Sequence, residues 1–311
     1  KGQRIMQFKI SDSLAALKPY EPGKPLKELE RELGIRNAVK LASNENPLGF
    51  SPDVNVAVQA HLDQMNRYPE SACPELAALL SDRFRIPGDA IVVGNGSDDI
   101  IALLAHAFLN PGDQALMPLP SFLMYEISVR TAKGVPVMIP LNDFSTNLNG
   151  LADAVTPQTR MVFVTNPFNP TGAVITREEF NDFAARIPDH VLIVIDEAYI
   201  EFVRQDDVFN SLESPLADPR FVSLRTFSKA YGLAGFRVGY GIMDPWVARQ
   251  LNRIRQPFNV NGLAQAAAAA ALQDHDFLEK SIRLTHEGLD YLFDQLTRMG
   301  LSPLPTQSNF L

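Results

Sequence analysis

The sequence predicts an α/β fold in which a mainly parallel central sheet lies between layers of helices. Short apolar strands alternate with helical segments along the chain, and the strands are continuously apolar instead of alternating with polar residues. Strands of this kind are covered on both faces, as in parallel sheets flanked by helices. In such sheets ligands bind outside the carboxyl ends of the strands, so the polar residues that follow each strand are the candidate site.

Seven strands are predicted, at residues 90–93, 114–117, 135–139, 161–165, 191–195, 221–225 and 238–242. Helices are expected at residues 26–33, 99–108 and 176–186, the last with Thr176 as N-cap and two glutamates in its first turn, where the helix dipole favours acids. The six alanines at 266–271 indicate a closely packed helix, and an amphipathic helix is expected from His286.

The chain has 311 residues, which is long for a single core and favours one large domain with a smaller one. We expect residues 1–47 to form an N-terminal arm and part of a small domain. Residues 48–285 would form the large domain, and residues 286–311 would begin the C-terminal part of the small domain. Residues 304–311 resemble a loop that enters a strand, so we expect further C-terminal residues beyond Leu311.

Composition excludes several classes of protein. A net charge of −8 argues against nucleic acid as a main partner, because a phosphate-binding surface needs excess Lys and Arg. The sequence has no apolar run long enough to span a membrane. Cys73 is the single cysteine, so no intrachain disulfide can form, which fits a reducing compartment, and we expect a cytoplasmic protein. We predict no metal site.

Several chemically useful residues directly follow predicted strands. Asp196 follows one strand, Asn169 lies in the Pro- and Gly-containing loop after another, and Lys229 follows a third. Arg237 comes later in the segment that contains Lys229, and residues 94–98 lead into the N-terminus of a helix. Each residue alone has an ordinary explanation, since most lysines are solvated and many acids begin turns. Their shared position at one edge of the sheet favours a joint role over these separate explanations.

This combination matches the chemical needs of pyridoxal phosphate. The cofactor needs a lysine amine for a Schiff base and an acid beside its ring nitrogen, so that the ring can accept electrons. It also needs a flat group against the ring, hydrogen-bond donors for its phenolate oxygen, and backbone N–H groups with an arginine for its phosphate.

The motifs that carry these residues resemble those of the fold-type I pyridoxal-phosphate aminotransferases, and most of all the histidinol-phosphate aminotransferase branch. They spread over nearly the whole chain in the order of that family. The matching stretches are 41–47 (LASNENP), 66–69 (NRYP), 96–98 (GSD), 166–172 (NPFNPTG), 196–202 (DEAYIEF), 226–240 and 257–261 (PFNVN).

The resemblance implies a role for each matching residue at the cofactor. Lys229 would form the Schiff base and then transfer the proton between the substrate carbon and the cofactor. Asp196 would pair with the ring nitrogen, and Tyr199 and Asn169 would donate to the phenolate oxygen. Phe122 would stack on the ring, where many relatives have tyrosine. The phosphate would be held by Ser97, Asp98, Ser228 and Arg237.

The resemblance also implies a homodimer with shared active sites. Tyr68 corresponds to a tyrosine that reaches the cofactor phosphate from the partner subunit. Tyr20 and Asn44 correspond to residues near the substrate. The substrate-binding arginine of the family belongs to the C-terminal small domain, in the part expected beyond Leu311.

The expected reaction is transfer of an amino group from histidinol phosphate to 2-oxoglutarate, giving imidazole-acetol phosphate and glutamate in histidine biosynthesis. Three alternatives stay open at this point: an aromatic amino acid aminotransferase, a decarboxylase of a phosphorylated amino acid, and a non-catalytic pyridoxal-phosphate-binding module. The lysine and its acid partner are both present, which favours an enzyme over the last of these.

Overall fold

A computed structural model of the protein describes residues 10–15, 17, 19 and 23–311. It contains a seven-stranded sheet with helices on both faces, which confirms the predicted fold class. Every predicted strand is present, with ends that differ from the prediction by no more than two residues. The strands are β1 (Ile91–Gly94), β2 (Gln114–Leu119), β3 (Val135–Pro140), β4 (Thr159–Thr165), β5 (Leu192–Asp196), β6 (Phe221–Thr226) and β7 (Gly239–Met243).

The strand order is β1-β7-β6-β5-β4-β2-β3. Strands β6, β5, β4, β2 and β3 are parallel, whereas β7 runs antiparallel to both of its neighbours. The connection from β6 to β7 contains no α-helix, and a parallel neighbour would need a longer crossover connection. The sheet is therefore mainly parallel, as predicted, with one reversed strand that the sequence pattern did not reveal.

The helices are α1 (Asp12–Ala15), α2 (Leu26–Leu33), α3 (Pro52–His61), α4 (Pro74–Phe84), α5 (Ser97–Phe108), α6 (Leu123–Thr131), α7 (Leu148–Asp153), α8 (Arg177–Arg186), α9 (Pro245–Ile254), α10 (Gly262–Gln273) and α11 (His275–Arg298). The predicted N-cap of α8 is confirmed: Thr176 Oγ1 accepts the Glu179 N–H at 3.2 Å, and Glu179 Oε2 accepts the Thr176 N–H at 2.8 Å. Among the described helices, none is both long and apolar enough to cross a membrane.

One helix start differs from the sequence-based expectation, and several helices were not predicted. Helix α11 begins at His275 and not at His286, because Asp274 accepts the Phe277 N–H at 2.9 Å and caps the helix there. Helices α3, α4 and α9 were not predicted, although each has a proline in its first turn, where the fixed φ of proline suits a helix start.

The core shows why the strands are apolar on both sides. Met161 and Phe163 of β4 pack into the cluster that contains helix α5, while Val162 and Val164 pack into the cluster that contains Phe180 of α8. Successive residues of a strand point to opposite faces, so both faces of β4 are buried.

Residues 304–311 form no regular secondary structure, and the strand expected to follow this loop stays a prediction. The segment lies against the loop after β4. The Gln307 N–H donates to the Gly172 oxygen at 2.9 Å, and a Cβ at Gly172 would collide with Thr306. Helix α11 passes through residue 286 without a break, and the division into domains stays a prediction.

A buried charge cluster anchors the segment after β5. The Arg225 guanidinium on β6 donates to Glu197 Oε2 at 2.9 Å and to Asn210 Oδ1 at 2.8 Å, and lies 3.5 Å from Glu201. Glu197 is fully buried and also accepts two bonds from Ser211. One arginine thus compensates the buried Glu197 and the largely buried Glu201, which follow β5 at the edge of the sheet where the candidate site lies.

Replacement of Arg225 by alanine should therefore destabilise the protein by about 3–5 kcal/mol, because it leaves buried carboxylates without their cation. Urea unfolding followed by circular dichroism measures this as a lower midpoint. The control is Arg298→Ala, which removes an exposed pair with Asp294 and should leave the midpoint nearly unchanged. Equal midpoints for the two variants would contradict the role given to the cluster.

Candidate active site

A cavity of about 520 Å³ opens at the carboxyl ends of β4, β5 and β6. These strands are neighbours in the sheet, so the residues that follow them meet at one edge. Of the predicted site residues that the structure describes, all except Tyr68 line this cavity: Asn44, Ser97, Asp98, Phe122, Asn169, Asp196, Tyr199, Ser228, Lys229 and Arg237. Tyr20 lies outside the described residues.

Lys229 lies in the tight turn that follows β6. The Gly232 N–H donates to the Lys229 oxygen at 3.0 Å, and Gly232 has a φ of 74°, which favours glycine. Lys229 Nζ donates to the Ser43 oxygen at 3.1 Å and lies 5.6 Å from the centre of the Tyr199 ring. Burial lowers the pKa of the Lys229 amine, against the opposing effect of the Asp98 carboxylate. A lower pKa increases the neutral, nucleophilic fraction of the amine.

Asp196 is the last residue of β5 and is 5% exposed. Its Oδ2 accepts a hydrogen bond from the Tyr125 hydroxyl at 2.6 Å, and its Oδ1 accepts the Ala198 N–H at 3.2 Å. Burial raises the pKa of Asp196 to about 6, and these two hydrogen bonds act against that rise. The carboxyl group is therefore mostly ionised at neutral pH although it is buried.

The Tyr199 hydroxyl accepts hydrogen bonds from two side-chain amides. It accepts from Asn44 Nδ2 at 3.0 Å and from Asn169 Nδ2 at 3.2 Å. The loop that carries Asn169 is fixed by a bond of 2.7 Å from the Phe168 N–H to the Ala173 oxygen, and by the Asn166 side chain, which bonds two further backbone groups. Three polar groups from distant parts of the chain thus converge on one side of the cavity.

A second part of the cavity lining has the features of an anion site. Helix α5 begins at Ser97, and its first N–H groups have no partner within the helix. The Arg237 guanidinium lies beside this helix end, 3.5 Å from Asp98 Oδ2 and 3.4 Å from Ser228 Oγ. Gly96 has a φ of 83°, and a Cβ there would collide with Arg237 Nη2. The glycine therefore leaves room for the guanidinium. Burial raises the pKa of Asp98, and Arg237 opposes the shift.

Phe122 lines the cavity beside Tyr125, with ring centres 5.6 Å apart in an edge-to-face arrangement. Tyr68 does not line the cavity of its own chain. It is 82% exposed and stacks on Phe258, with ring centres 4.7 Å apart.

The structure adds residues that sequence reasoning missed. Thr165 and Thr226 end β4 and β6 and line the cavity, so the strand-end argument that identified Asp196 applied to them as well. Tyr125 also lines it and lies three residues after Phe122, on the same side of α6, where helical spacing could have indicated it. In the described part of the chain, no group of three or more His, Cys, Asp or Glu side chains is placed to hold a metal ion.

A lysine, a buried aspartate and a helix N-terminus with an arginine, all at one edge of a mainly parallel seven-stranded sheet, define the class of fold-type I transferases. The model of the family "Aminotransferase class I and II" matches residues 36–311. The chain belongs to this aminotransferase family.

Curated relatives of the chain are named as histidinol-phosphate aminotransferases. Histidinol-phosphate aminotransferase 2 of Carboxydothermus hydrogenoformans is 46% identical over 303 residues, which cover 97% of this chain and 84% of the relative. The histidinol-phosphate aminotransferase of Moorella thermoacetica is 43% identical, over 97% of this chain and 79% of the relative.

Solved structures of aminotransferases are also similar to this chain. Histidinol-phosphate aminotransferase from Sinorhizobium meliloti, in complex with pyridoxal-5'-phosphate, is similar with a TM-score of 0.89 and 28% identity, covering 97% of this chain and 82% of that one. Aspartate aminotransferase from Thermus thermophilus with maleate has a TM-score of 0.84 and 25% identity, covering 98% and 84%.

The raised pKa of Asp196 predicts how the stability of the cofactor-free protein depends on pH. Below about pH 4 the carboxyl group is neutral in both the folded and the unfolded state. Between about pH 4 and pH 6 only the folded state keeps the proton, so stability falls as the pH rises. Asp196→Asn removes the buried charge and should stabilise the protein by up to about 3 kcal/mol at pH 8, with no gain at pH 4.

Urea unfolding at several pH values measures this difference. The exposed residue Asp206 offers a matched control, since Asp206→Asn should not change the pH dependence of stability. A gain for Asp196→Asn that is independent of pH would show that burial of the charge is not its source.

Proposed function

We propose that the chain binds pyridoxal phosphate at Lys229 and transfers the amino group of histidinol phosphate to 2-oxoglutarate, as in histidine biosynthesis. The observation that carries this proposal is the convergence of Lys229, Asp196 and the anion site at Arg237 in one cavity. The names of the relatives support the choice of amino donor.

The residues present fit the cofactor. When bound, pyridoxal phosphate supplies an aldehyde carbon that takes up an amino group and a ring that accepts electrons from the substrate carbon. Asp196 would hold the protonated ring nitrogen, since its carboxylate is ionised and lines the cavity. Phe122 would cover the ring face. Tyr199 and Asn169 would bind the phenolate oxygen, and the phosphate would lie among Ser97, Asp98, Ser228 and Arg237.

Lys229 has two tasks in this proposal. Its amine would attach the cofactor, and once released it would take a proton from the substrate carbon and deliver it to the former aldehyde carbon of the cofactor. Both tasks need a neutral amine, which the burial of Lys229 favours. The Ser43 oxygen, 3.1 Å from Nζ, holds the side chain within the cavity between these steps.

The substrate would enter beside Asn44, whose side chain is bonded to Tyr199. Tyr20 is proposed to lie near the substrate as well. The products would be imidazole-acetol phosphate and glutamate.

We propose a cytoplasmic location on the basis of the single, buried cysteine, and cell fractionation would test it.

The proposed protein is a homodimer in which Tyr68 reaches the cofactor phosphate of the partner subunit. Support comes from the position of Tyr68, which lies outside its own cavity and presents an exposed ring stacked on Phe258. An exposed aromatic pair of this kind is typical of an interface.

The test of the activity is a side-by-side assay of three donors with 2-oxoglutarate as acceptor: histidinol phosphate, phenylalanine and phosphothreonine. We expect the highest kcat/KM for histidinol phosphate, and release of carbon dioxide from phosphothreonine should not be detected. Faster turnover of phenylalanine would make the chain an aromatic amino acid aminotransferase.

The Lys229→Ala variant is the control for this assay. It should lose the visible absorbance of the lysine-bound cofactor and nearly all turnover, because Lys229 is the only lysine among the described residues that line the cavity. Normal turnover in this variant would overturn the assignment of Lys229.

Shared active sites can be tested by mixing two defective variants. Tyr68→Ala and Lys229→Ala should each bind the cofactor poorly, whereas a mixed dimer has one site that contains both intact residues. Random mixing should restore about a quarter of the sites, as measured by bound cofactor after exchange of subunits. A monomeric mass in light scattering, or no recovery in the mixture, would contradict the shared site.

A further inference from the structure

Tyr125 contacts Asp196 directly, and the proposed function gives it no role of its own. It lies in the first turn of α6 and is fully buried. Its hydroxyl donates to Asp196 Oδ2 at 2.6 Å and lies 2.9 Å from Thr165 Oγ1. A phenol has one hydrogen, so the second bond must be donated by Thr165. A chain of hydrogen bonds therefore runs from Thr165 through Tyr125 to Asp196.

The ring of Tyr125 is held in this position by packing. It stacks on Phe163 with ring centres 4.4 Å apart and an angle of 9° between the planes, and it meets Phe122 edge-on. Thr165 and Asp196 are paired in the register of β4 and β5, so both partners of the hydroxyl are fixed by the sheet. The hydroxyl cannot turn away from Asp196 without disturbing this packing.

The chemical nature of the donors matters for Asp196. A buried carboxylate tends to take up a proton, and donors of hydrogen bonds favour its ionised form. The two groups that donate to Asp196 are a phenol and a backbone amide, and both are neutral. They stabilise the charge without cancelling it, so the full negative charge stays available to a cation in the cavity.

We propose that Tyr125 is a positioning residue that keeps Asp196 ionised and oriented toward the protonated ring nitrogen of the cofactor. The inference rests on the proposed function, since it concerns the same cofactor. Tyr125 acts through Asp196, and it also supports Phe122, the residue expected to cover the ring.

Tyr125→Phe tests this role, because it keeps the ring and removes only the hydroxyl. We expect pyridoxal phosphate to bind the cofactor-free protein on the order of tenfold more weakly at pH 7, as for the loss of a hydrogen bond to a charged group. The pH at which affinity falls on acidification should move upward by about one unit, because Asp196 then takes up its proton more readily. Calorimetric titrations between pH 5 and pH 9 measure both effects.

Two further variants separate this role from a loss of packing. Tyr240→Phe removes a hydroxyl from another buried tyrosine, in a different core cluster, and should keep the affinity and the pH midpoint of the unchanged protein. Thr165→Val removes the donor to Tyr125 and should shift both in the same direction as Tyr125→Phe, by a smaller factor. It also serves if Tyr125→Phe does not fold.

The outcomes distinguish this inference from the function on which it rests. If the unchanged protein binds the cofactor at Lys229 but Tyr125→Phe has the same affinity and pH midpoint, the role of Tyr125 is wrong and the function stands. Equal losses in Tyr125→Phe and Tyr240→Phe would also overturn it, as a general effect on the core. If the unchanged protein does not bind the cofactor, the proposed function fails and the inference with it.

Discussion

The site is organised around one buried negative charge, the carboxylate of Asp196. A carboxylate removed from water tends to take up a proton, and burial raises the pKa of Asp196 to about 6. The pairing of β4 with β5 places Thr165 beside it, and helix α6 places Tyr125 above both. The direction and length of these elements matter because they place hydrogen-bond donors beside Asp196. Without these donors, the buried carboxylate would take up a proton more readily.

The direction of strand β7 explains how Arg237 reaches the anion site. In the sheet, Gly239 at the start of β7 is paired with Thr226 at the end of β6 and with Gly94 at the end of β1. Arg237, two residues earlier, therefore reaches the start of α5, which follows β1. A Cβ at Gly239 would lie 2.6 Å from the Ser97 nitrogen, which shows how closely this strand approaches the helix end. A parallel strand at this place would have carried the arginine to the far edge of the sheet.

Sequence reasoning identified what depends on local pattern. Buried strands are apolar runs, and the residues after them were enough, with the family resemblance, to find Lys229 and Asp196. The direction of β7 depends on which strands it pairs with, and the role of Tyr125 depends on contact between α6 and β5, which are 71 residues apart at the hydrogen bond. Glu197 is a similar case, since only its contact with Arg225 on the neighbouring strand explains a buried acid there. Such features are non-local, so no window of sequence contains them.

Two of the acids that line the cavity, Asp98 and Asp196, have different partners, and this difference gives the site its polarity. Asp98 lies 3.5 Å from the Arg237 guanidinium, at the end where a helix also presents its N–H groups. Asp196 accepts hydrogen bonds from neutral donors, so its full negative charge stays available to a cationic group of a ligand. A ligand with an anionic group at one end and a protonated nitrogen at the other is complementary to this arrangement. Lys229 lines the same cavity, so a ligand held by these two groups has the amine within its binding site.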